Sequence, residues 1–329
     1  MGATITGIGS YLPEKVLTNA DLEKMVDTSD EWIVTRTGIK ERRICPEDQA
    51  SSDLGAEAAR RAIVDAGIDQ SDIDMIVCAT ITADMIFPST ACIIQHKLGL
   101  DNIACFDISA ACSGFIYGLE IARNFIDTGR YKRILVVAAE CMSRVTDYTD
   151  RTTCVLLGDG AVATIVSKTD KNSGILDTYL GASGKYGNLL YVPAGGSRMP
   201  ASFETVEKKL HYMKMEGSSL FRIAVTAMSE SVKKVLERNQ VSSEQIKLII
   251  PHQANIRIIQ SVAKLTDFPM EKVFVNIEKY GNMSAASVGV ALDEAVKSEK
   301  IHNGDLICMV SFGAGLTWAA NLIRWDKNG

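Results

Sequence analysis

A cysteine at the end of a predicted strand is the residue best placed for covalent chemistry. Cys112 follows the apolar run 103–108 and a turn of small residues, where a helical pattern begins. The first N–H groups of a helix are unpaired and its dipole favours negative charge, so this position favours a thiolate. We predict that Cys112 is a nucleophile. The alternative is a buried structural cysteine, the usual role of this residue type.

Two polar side chains at other strand ends are candidates to assist this nucleophile. His252 follows the apolar run 247–250, and α/β proteins place reacting groups at the carboxyl ends of buried strands. Asn282 lies beside a glycine between a predicted strand and a predicted helix. Taken singly, His252 is better explained as an ordinary core or surface histidine, and Asn282 is still more readily explained as a turn residue.

A glycine-rich turn ends a further predicted strand. The turn reads Gly313-Ala314-Gly315, and its glycines permit a backbone with exposed N–H groups. Together with the N–H of Cys112, such groups form a candidate oxyanion hole for a tetrahedral intermediate. The alternative is a simple turn between two core strands.

Apolar runs of strand length alternate with amphipathic stretches of helical period along the chain. The predicted strands are 3–10, 74–82, 103–109, 133–140, 160–168, 174–183, 247–252, 273–278, 305–312 and 317–325. The predicted helices are 20–26, 52–66, 89–98, 112–128, 217–238, 254–264 and 284–298. This alternation predicts an α/β architecture with helices on both faces of the sheets.

A weak internal repeat divides the chain into two halves. Three stretches recur in the same order at nearly one offset, and they are 66–77 with 239–250, 109–114 with 284–289, and the strands that begin at Ile134 and Leu306. We therefore predict a duplicated fold with halves 1–172 and 173–329. A pseudo-twofold would bring Asn282 close to Cys112, in a site that draws residues from both halves.

The composition excludes several classes of function. The chain has 329 residues, 47% hydrophobic residues and a net charge of −5, which argues against a broad nucleic-acid-binding face. No apolar run reaches 18 residues and the start does not read as a signal peptide. The eight cysteines form no C-x-x-C pair, and the four histidines lack metal-ligand spacing. We expect a cytoplasmic protein with reduced thiols, no metal and no membrane or nucleic-acid partner.

Four separated motifs resemble those of one enzyme family. They are D-I-S-A-A-C-S-G-F at 107–115, P-H-Q-A-N-I-R-I-I at 251–259, Y-G-N-M-S-A-A-S at 280–287 and S-F-G-A-G-L-T-W at 311–318. In this order they are similar to the motifs of β-ketoacyl-acyl carrier protein synthase III of the thiolase superfamily, and the resemblance runs nearly end to end. It implies the thiolase-like five-layered α-β-α-β-α fold with internal duplication.

The resemblance also implies a decarboxylating condensation that starts fatty-acid synthesis. Cys112 would take the acyl group of a short acyl-CoA, and malonyl-acyl carrier protein would then lose carbon dioxide. His252 and Asn282 would stabilise the resulting enolate, which attacks the acyl group. The N–H groups of Cys112 and Ala314 would form the oxyanion hole. No cofactor is implied, because the CoA thioester is a substrate.

The family's binding residues carry over onto matching positions of this sequence. The implied CoA contacts are Trp32, Arg36, Thr37, Arg151, Gly217, Phe221, Ala254 and Asn255. The implied acyl pocket consists of Ile81, Phe87, Met142, Leu157, Met213 and Phe312, with Phe87 reaching the partner in a homodimer and Phe312 near the malonyl carboxylate. Arg222, Arg257 and Lys264 are the implied docking patch for the acidic carrier protein.

Departures from the family pattern leave the starter acyl group open. The acyl-pocket positions Ile81, Met142, Leu157 and Met213 are not the set associated with strict acetyl use, and the segment 194–215 is longer than expected. The family often has three glycines where this chain has Gly313-Ala314-Gly315, a change from which we expect only steric tuning. Three alternatives to the main hypothesis therefore stay open. They are a paralogue that condenses other acyl groups for a specialised product, a cysteine hydrolase with the same Cys-His-Asn chemistry, and a non-catalytic interaction protein of the same fold.

Overall fold

A computed structural model describes residues 2–328 of the chain. Its strands are β1 (Gly2–Tyr11), β2 (Val16–Thr18), β3 (Glu41–Arg43), β4 (Met75–Ala79), β5 (Ala104–Ile108), β6 (Arg133–Cys141), β7 (Asp159–Thr169), β8 (Gly174–Ala182), β9 (Leu190–Tyr191), β10 (Lys214–Met215), β11 (Leu248–Pro251), β12 (Leu306–Gly313) and β13 (Thr317–Arg324). Its α-helices are α1 (Asn19–Leu22), α2 (Asp30–Thr37), α3 (Ser51–Ala66), α4 (Thr90–Lys97), α5 (Gly114–Asp127), α6 (Phe203–Glu207), α7 (Gly217–Arg238), α8 (Ile256–Leu265), α9 (Ile277–Tyr280) and α10 (Ala286–Lys297).

Two mixed sheets with the same strand order form the framework. The first has the order β1-β7-β6-β4-β5, and the second has the order β8-β13-β12-β11. In the first sheet β4 pairs in parallel with β5 and β6, and in the second sheet β11 pairs in parallel with β12, while the remaining pairs are antiparallel. Residues of β4, β6 and β12 are buried almost throughout, as expected for strands covered on both faces.

The two sheets and their helices stack in five layers. One core cluster joins α3 and α4 to the outer face of the first sheet. The central cluster joins the inner faces of both sheets to α5 and α10, and a third joins α7 and α8 to the outer face of the second sheet. This confirms the predicted α-β-α-β-α architecture.

The predicted strand 273–278 is wrong in most of its length. Only Val273 bridges Ile249 in parallel, at the edge where a fifth strand would complete the second sheet. Beyond Phe274, whose N–H donates to Ile249, the backbone N–H of Asn276 donates to the side chain of Gln253 at 3.0 Å. Since a side chain replaces the sheet ladder there, the strand stops and α9 begins at Ile277.

The structure also corrects the register of the repeat. The notable backbone points are Ala111 at φ +46° and Ser284 at φ +48°, two non-glycine residues in the left-handed region that precede α5 and α10. These two residues are 173 positions apart, the same offset as between the repeated stretches 66–77 and 239–250. The predicted match of 109–114 with 284–289 implies an offset of 175, which is two residues too large. The division into 1–172 and 173–329 stays a prediction, with β8 beginning at Gly174.

Candidate active site

Cys112 lies in a single helical turn between β5 and α5. This turn, Ala111–Ser113, presses against the end of β12, where a Cβ added to Gly313 would lie 2.5 Å from the backbone nitrogen of Cys112. Glycine at 313 is therefore needed for the close approach. The side chain of Cys112 is 8% exposed, at the base of a cavity.

Burial determines the protonation of this sulfur in the free protein. It raises the pKa of the Cys112 thiol to about 12, against a smaller opposing effect of the Ser284 hydroxyl. The lowered pKa predicted from the helix N-terminus is thus not found, because α5 begins only at Gly114 and the sulfur is shielded from water. The resting enzyme has a thiol here, and it must lose its proton during the reaction.

A backbone hydrogen bond holds His252 in place, while the imidazole ring makes no hydrogen bond with the described residues. Its backbone N–H donates to the carbonyl of Val310 at 2.7 Å, which fastens the end of β11 to β12. The side chain is 2% exposed, and within residues 2–328 neither ring nitrogen has a hydrogen-bond partner. Burial lowers the pKa of His252 to about 3. The ring is therefore neutral at physiological pH and offers one N–H donor and one acceptor.

Asn282 is held with its amide nitrogen available. Its backbone N–H donates to the carbonyl of Leu156 at 2.8 Å, and its carbonyl accepts from the N–H of Gly158 at 3.0 Å. These two hydrogen bonds hold the residue against the segment before β7. Its Oδ1 accepts from the N–H of Ser284 at 2.8 Å. Because the amide oxygen is engaged, the NH₂ group is the part of Asn282 free to donate to a ligand.

The three predicted catalytic side chains open into one cavity. Cys112, His252 and Asn282 line a space of about 160 Å³ together with Phe312 and Gly313. The predicted tunnel residues line the same space, and they are Gly217, Phe221, Ala254 and Asn255. The structure therefore brings residues from both halves of the chain to one sulfur.

A second, more apolar cavity of about 260 Å³ adjoins the first at Cys112. Four of the six predicted acyl-pocket residues line it, namely Ile81, Met142, Leu157 and Met213. Ala314, the second predicted oxyanion-hole residue, lines this cavity too. Phe312 does not line this second cavity. It lines the first one, shared by Cys112, His252 and Asn282 and called the catalytic cavity below, because its strand ends beside Cys112. Phe87 lines neither cavity and is 81% exposed.

Several residues of the second cavity were not predicted. They are Val145, Leu156, Leu190, Tyr191, Val192 and Met215. Most belong to loops or to the two-residue strands β9 and β10, which give no periodic signal in the sequence. The 194–215 segment runs between these two strands and so borders the cavity entrance.

Three of the predicted nucleotide contacts form a surface cluster. The guanidinium groups of Arg36 and Arg151 lie 4.6 and 5.3 Å from the ring centroid of Trp32. Thr37 lies apart from this cluster, because its buried hydroxyl donates to Ile33 at 2.7 Å and accepts from the N–H of Ile39 at 3.0 Å. Its side chain completes the end of α2 and is not presented to a ligand.

The predicted docking residues are exposed on two neighbouring helices. Arg222 lies on α7, and Arg257 and Lys264 lie on α8. Arg257 is 5.8 Å from the ring centroid of Phe221, which lines the cavity. None of the ion pairs found among residues 2–328 includes these three cations, so they are available to an acidic partner.

Two residues beside Cys112 were missed from the sequence. Ser284 is buried with its Oγ 3.7 Å from Sγ of Cys112, and Glu140 is buried at the end of β6. The sequence does mark Glu140 as unusual, because it is the one charged residue in the otherwise apolar run 134–142. A buried carboxylate is exceptional enough to require an explanation.

Two further structural features bear on the class of protein. Among the described residues, no helix is long and apolar enough to cross a membrane, and no cluster of potential metal ligands occurs. A duplicated two-sheet fold that brings a cysteine, a neutral histidine and an asparagine to one apolar cavity defines a condensing enzyme of the thiolase-fold class.

Comparison with known proteins narrows this class. Residues 106–184 match the family model of 3-oxoacyl-[acyl-carrier-protein (ACP)] synthase III, and residues 236–325 match the model of its C-terminal part. The chain is 57% identical over 327 residues to a β-ketoacyl-[acyl-carrier-protein] synthase III of Caldanaerobacter subterraneus subsp. tengcongensis, with 99% of each chain covered. It is 53% identical to the same enzyme of Clostridioides difficile, with 98% of each covered. The chain therefore belongs to the β-ketoacyl-[acyl-carrier-protein] synthase III family.

Solved structures agree with this assignment. The crystal structure of 3-oxoacyl-[acyl-carrier-protein] synthase III from Aquifex aeolicus superposes with a TM-score of 0.91 at 48% identity, covering 98% of this chain and all of the other. The priming β-ketosynthase of the R1128 polyketide pathway superposes with a TM-score of 0.91 at 35% identity, covering 98% and 96%. The chain is thus a condensing acyltransferase with the thiolase fold.

Proposed function

We propose that this enzyme condenses a short acyl-CoA starter with malonyl-acyl carrier protein through an acyl-Cys112 intermediate. The products are 3-oxoacyl-acyl carrier protein, CoA and carbon dioxide. The observation that carries the proposal is the convergence of Cys112, His252 and Asn282 on one cavity, continuous with a second apolar cavity for the acyl chain. No cofactor enters the proposed reaction.

Acyl transfer is the first half of the reaction. The sulfur of Cys112 attacks the thioester carbon, and the N–H groups of Cys112 and Ala314 hold the developing oxyanion. CoA leaves, and the acyl chain occupies the cavity lined by Ile81, Met142, Leu157 and Met213. The methionines are unbranched and adaptable, which suits a pocket that accepts chains of more than one shape.

Decarboxylation of the malonyl group is the second half. The neutral imidazole of His252 and the NH₂ of Asn282 donate hydrogen bonds to the thioester oxygen and stabilise the enolate. Because burial keeps the pKa of His252 low, the ring donates without carrying a charge. Phe312 lines the same cavity and supplies an apolar wall, where desolvation of the malonyl carboxylate favours its loss.

The approach routes of both substrates follow from the surface. Trp32, Arg36 and Arg151 form the cluster that receives the nucleotide of CoA, whose pantetheine enters past Phe221 and Asn255. The cations on α7 and α8 dock the acidic carrier protein at the same entrance. The exposed run Met85, Ile86 and Phe87 is the apolar surface through which we propose a homodimer.

One observation favours a second candidate within the same class. The priming β-ketosynthase of a polyketide pathway has the same fold at 35% identity, so a specialised starter is compatible with this framework. The two candidates differ in the acyl group that fills the 260 Å³ cavity. A panel of acyl-CoAs of increasing length and branching, assayed with malonyl-acyl carrier protein, separates them.

The decisive experiment traps the acyl-enzyme. The protein is incubated with mixed acyl-CoAs, and the covalent adduct and the modified residue are identified by mass spectrometry. We expect one acyl group on Cys112, no adduct in Cys112→Ser, and a normal adduct in Cys92→Ser, which alters a partly exposed cysteine elsewhere. An adduct on another cysteine contradicts the proposal. Release of free acid without malonyl-acyl carrier protein would instead indicate a hydrolase.

A further inference from the structure

Within residues 2–328, the Cys112 thiol has one side-chain hydrogen-bond partner, and that partner is not the catalytic histidine. The thiol donates to Oγ of Ser284, 3.7 Å from Sγ. Both ring nitrogens of His252 lack a partner among the same residues. The resting geometry therefore directs the thiol proton toward Ser284.

A buried carboxyl lies on the far side of Ser284. Glu140 is 0% exposed and accepts hydrogen bonds from the hydroxyl of Thr82 at 2.6 Å and from the N–H of Ile81 at 3.1 Å. Hydrogen bonding to the Ser284 hydroxyl and to the N–H of Ala285 also favours the charged form of this carboxyl and lowers the pKa of Glu140. None of the ion pairs found in the described chain includes Glu140. A carboxyl buried without a cation is costly, and the hydrogen bonds from Thr80, Ile81 and Thr82 offset part of that cost.

Ser284 is held between the two groups by its backbone. Its φ of +48° is unusual for a residue with a side chain, and its N–H donates to Oδ1 of Asn282. Strained conformations of this kind persist where the surrounding structure enforces them, often at functional sites. The backbone thereby holds the Ser284 hydroxyl against Sγ of Cys112.

We propose that Ser284 and Glu140 form a proton relay that accepts the Cys112 proton during acylation and returns it during condensation. The proposal rests on the role of Cys112 as nucleophile proposed above. Ser284 and Glu140 do not touch the substrate in this scheme, and they act through the sulfur.

The proton and electron movements balance over the cycle. During acylation the S–H proton of Cys112 passes to the Ser284 oxygen, while the Ser284 proton passes to Glu140. The sulfur pair forms the bond to the acyl carbon, the bond between that carbon and CoA sulfur breaks, and the CoA thiolate takes a proton from solvent. In condensation the enolate carbon bonds to the acyl carbon, the Cys112 sulfur leaves, and the proton returns from Glu140 through Ser284.

The pKa of the Cys112 thiol, about 12, lies above that of Glu140, so the proton moves only as the sulfur attacks the thioester. The pKa values bear on which neighbouring group accepts it. Burial raises the pKa of Glu140 to about 7, whereas burial lowers the pKa of His252 to about 3. Glu140 is therefore the stronger base near neutral pH. The titratable groups that face it are the buried thiols of Cys112 and Cys78, and the charge of Glu140 raises the pKa of both. The neighbouring strand β7 presents only Gly160 opposite Glu140.

The test measures the pH dependence of Cys112 alkylation by iodoacetamide, followed by mass spectrometry between about pH 5 and 9. In the unaltered enzyme we expect the rate to rise through an ionisation near pH 7, as Glu140 becomes charged. Glu140→Gln keeps the shape of the side chain but removes the proton acceptor. We expect this variant to lose the ionisation and to react about 100-fold more slowly at pH 7.5. Glu140→Asp, which keeps a carboxyl, should retain the ionisation at a reduced rate.

Two further variants separate the relay from an effect on folding. Ser284→Ala removes one oxygen and should lose the ionisation as Glu140→Gln does, so it decides the question if Glu140→Gln does not fold. Asp159→Asn neutralises another buried carboxyl, on β7, and should keep the ionisation. Retention of the ionisation and rate in Ser284→Ala or a folded Glu140→Gln overturns the relay, as does loss of the ionisation in His252→Ala. Acylation of unaltered Cys112 by the mixed acyl-CoAs is measured in parallel, and its absence would contradict the proposed function itself.

Discussion

His252 illustrates how burial alone gives a side chain its chemical role. The imidazole is enclosed at the end of β11, and within residues 2–328 neither ring nitrogen has a hydrogen-bond partner. A carboxylate beside it would favour the charged ring, and no such partner is found among the described residues. The depressed pKa of His252 is thus a direct consequence of its packing, with a measurable effect on stability.

The first prediction concerns this effect on stability. The pKa of His252 is about 3 in the folded protein, below the ordinary value of 6.5, so the unfolded chain binds the extra proton between these pH values. The free energy of unfolding should therefore be unaffected by His252 above pH 6.5 and should fall as pH decreases below it, by up to about 1.4 kcal/mol per unit. Urea unfolding at several pH values between about 4.5 and 7.5 measures the slope.

A matched pair of variants assigns the slope to His252. His252→Asn should lose a part of the slope below pH 6.5, whereas His302→Asn, at an exposed position, should leave it unchanged. Equal slopes in the unaltered protein and in His252→Asn would show that the ring is not held neutral by burial.

At the scale of elements, the site depends on how closely β12 approaches the Cys112 turn. This strand carries Phe312 and Gly313 into the catalytic cavity, and the hydroxyl of Thr317 donates to the carbonyl of Ala110 at 2.8 Å just beyond it. The turn and the strand belong to different halves of the chain. Their contact therefore couples the two sheets directly at the nucleophile.

The second prediction tests this contact. In Gly313→Ala the new Cβ would lie 2.5 Å from the nitrogen and 2.9 Å from Cβ of Cys112, so the turn must move. We expect a loss of about 1–3 kcal/mol of unfolding free energy and at least about 10-fold slower acylation of Cys112. Gly184→Ala is the control, because its Cβ would meet nothing within 4 Å. Normal acylation in Gly313→Ala would mean that the close approach does not position the sulfur.

At the scale of the whole molecule, an acidic protein presents a local basic surface. The net charge is −5, yet Arg222, Arg257 and Lys264 are exposed on the packed helices α7 and α8, and Arg257 lies 5.8 Å from the ring of Phe221, which lines the catalytic cavity. Charges at the rim of a contact chiefly affect association and partner choice. This surface should therefore distinguish the carrier-protein substrate from the CoA substrate.

The third prediction concerns this distinction. Arg257→Glu should raise the KM for malonyl-acyl carrier protein about 10-fold or more at low salt, with little change in the KM for acetyl-CoA. Lys233→Glu makes the same change of charge on α7, about 16 Å along the helix from Arg222, and should affect neither. Steady-state kinetics with each substrate varied in turn provides the measurement. Equal effects of Arg257→Glu on both substrates would argue against carrier docking there.

The sequence by itself determined the elements and the reacting residue types. Strand and helix periodicity gave most of the framework, and the strand-turn-helix pattern singled out Cys112, His252 and Asn282. These signals are local, because the pattern of apolar residues and the small residues of a turn are read directly from neighbouring positions.

Only the tertiary structure decided how these residues act on one another. It placed Phe312 in the catalytic cavity, turned Thr37 inward, and set Ser284 and Glu140 beside Cys112. It also raised the pKa of Cys112 against the expectation from its helix. Burial and contact depend on residues from distant parts of the chain, such as Glu140 and Ser284, and no local pattern encodes the distance between them.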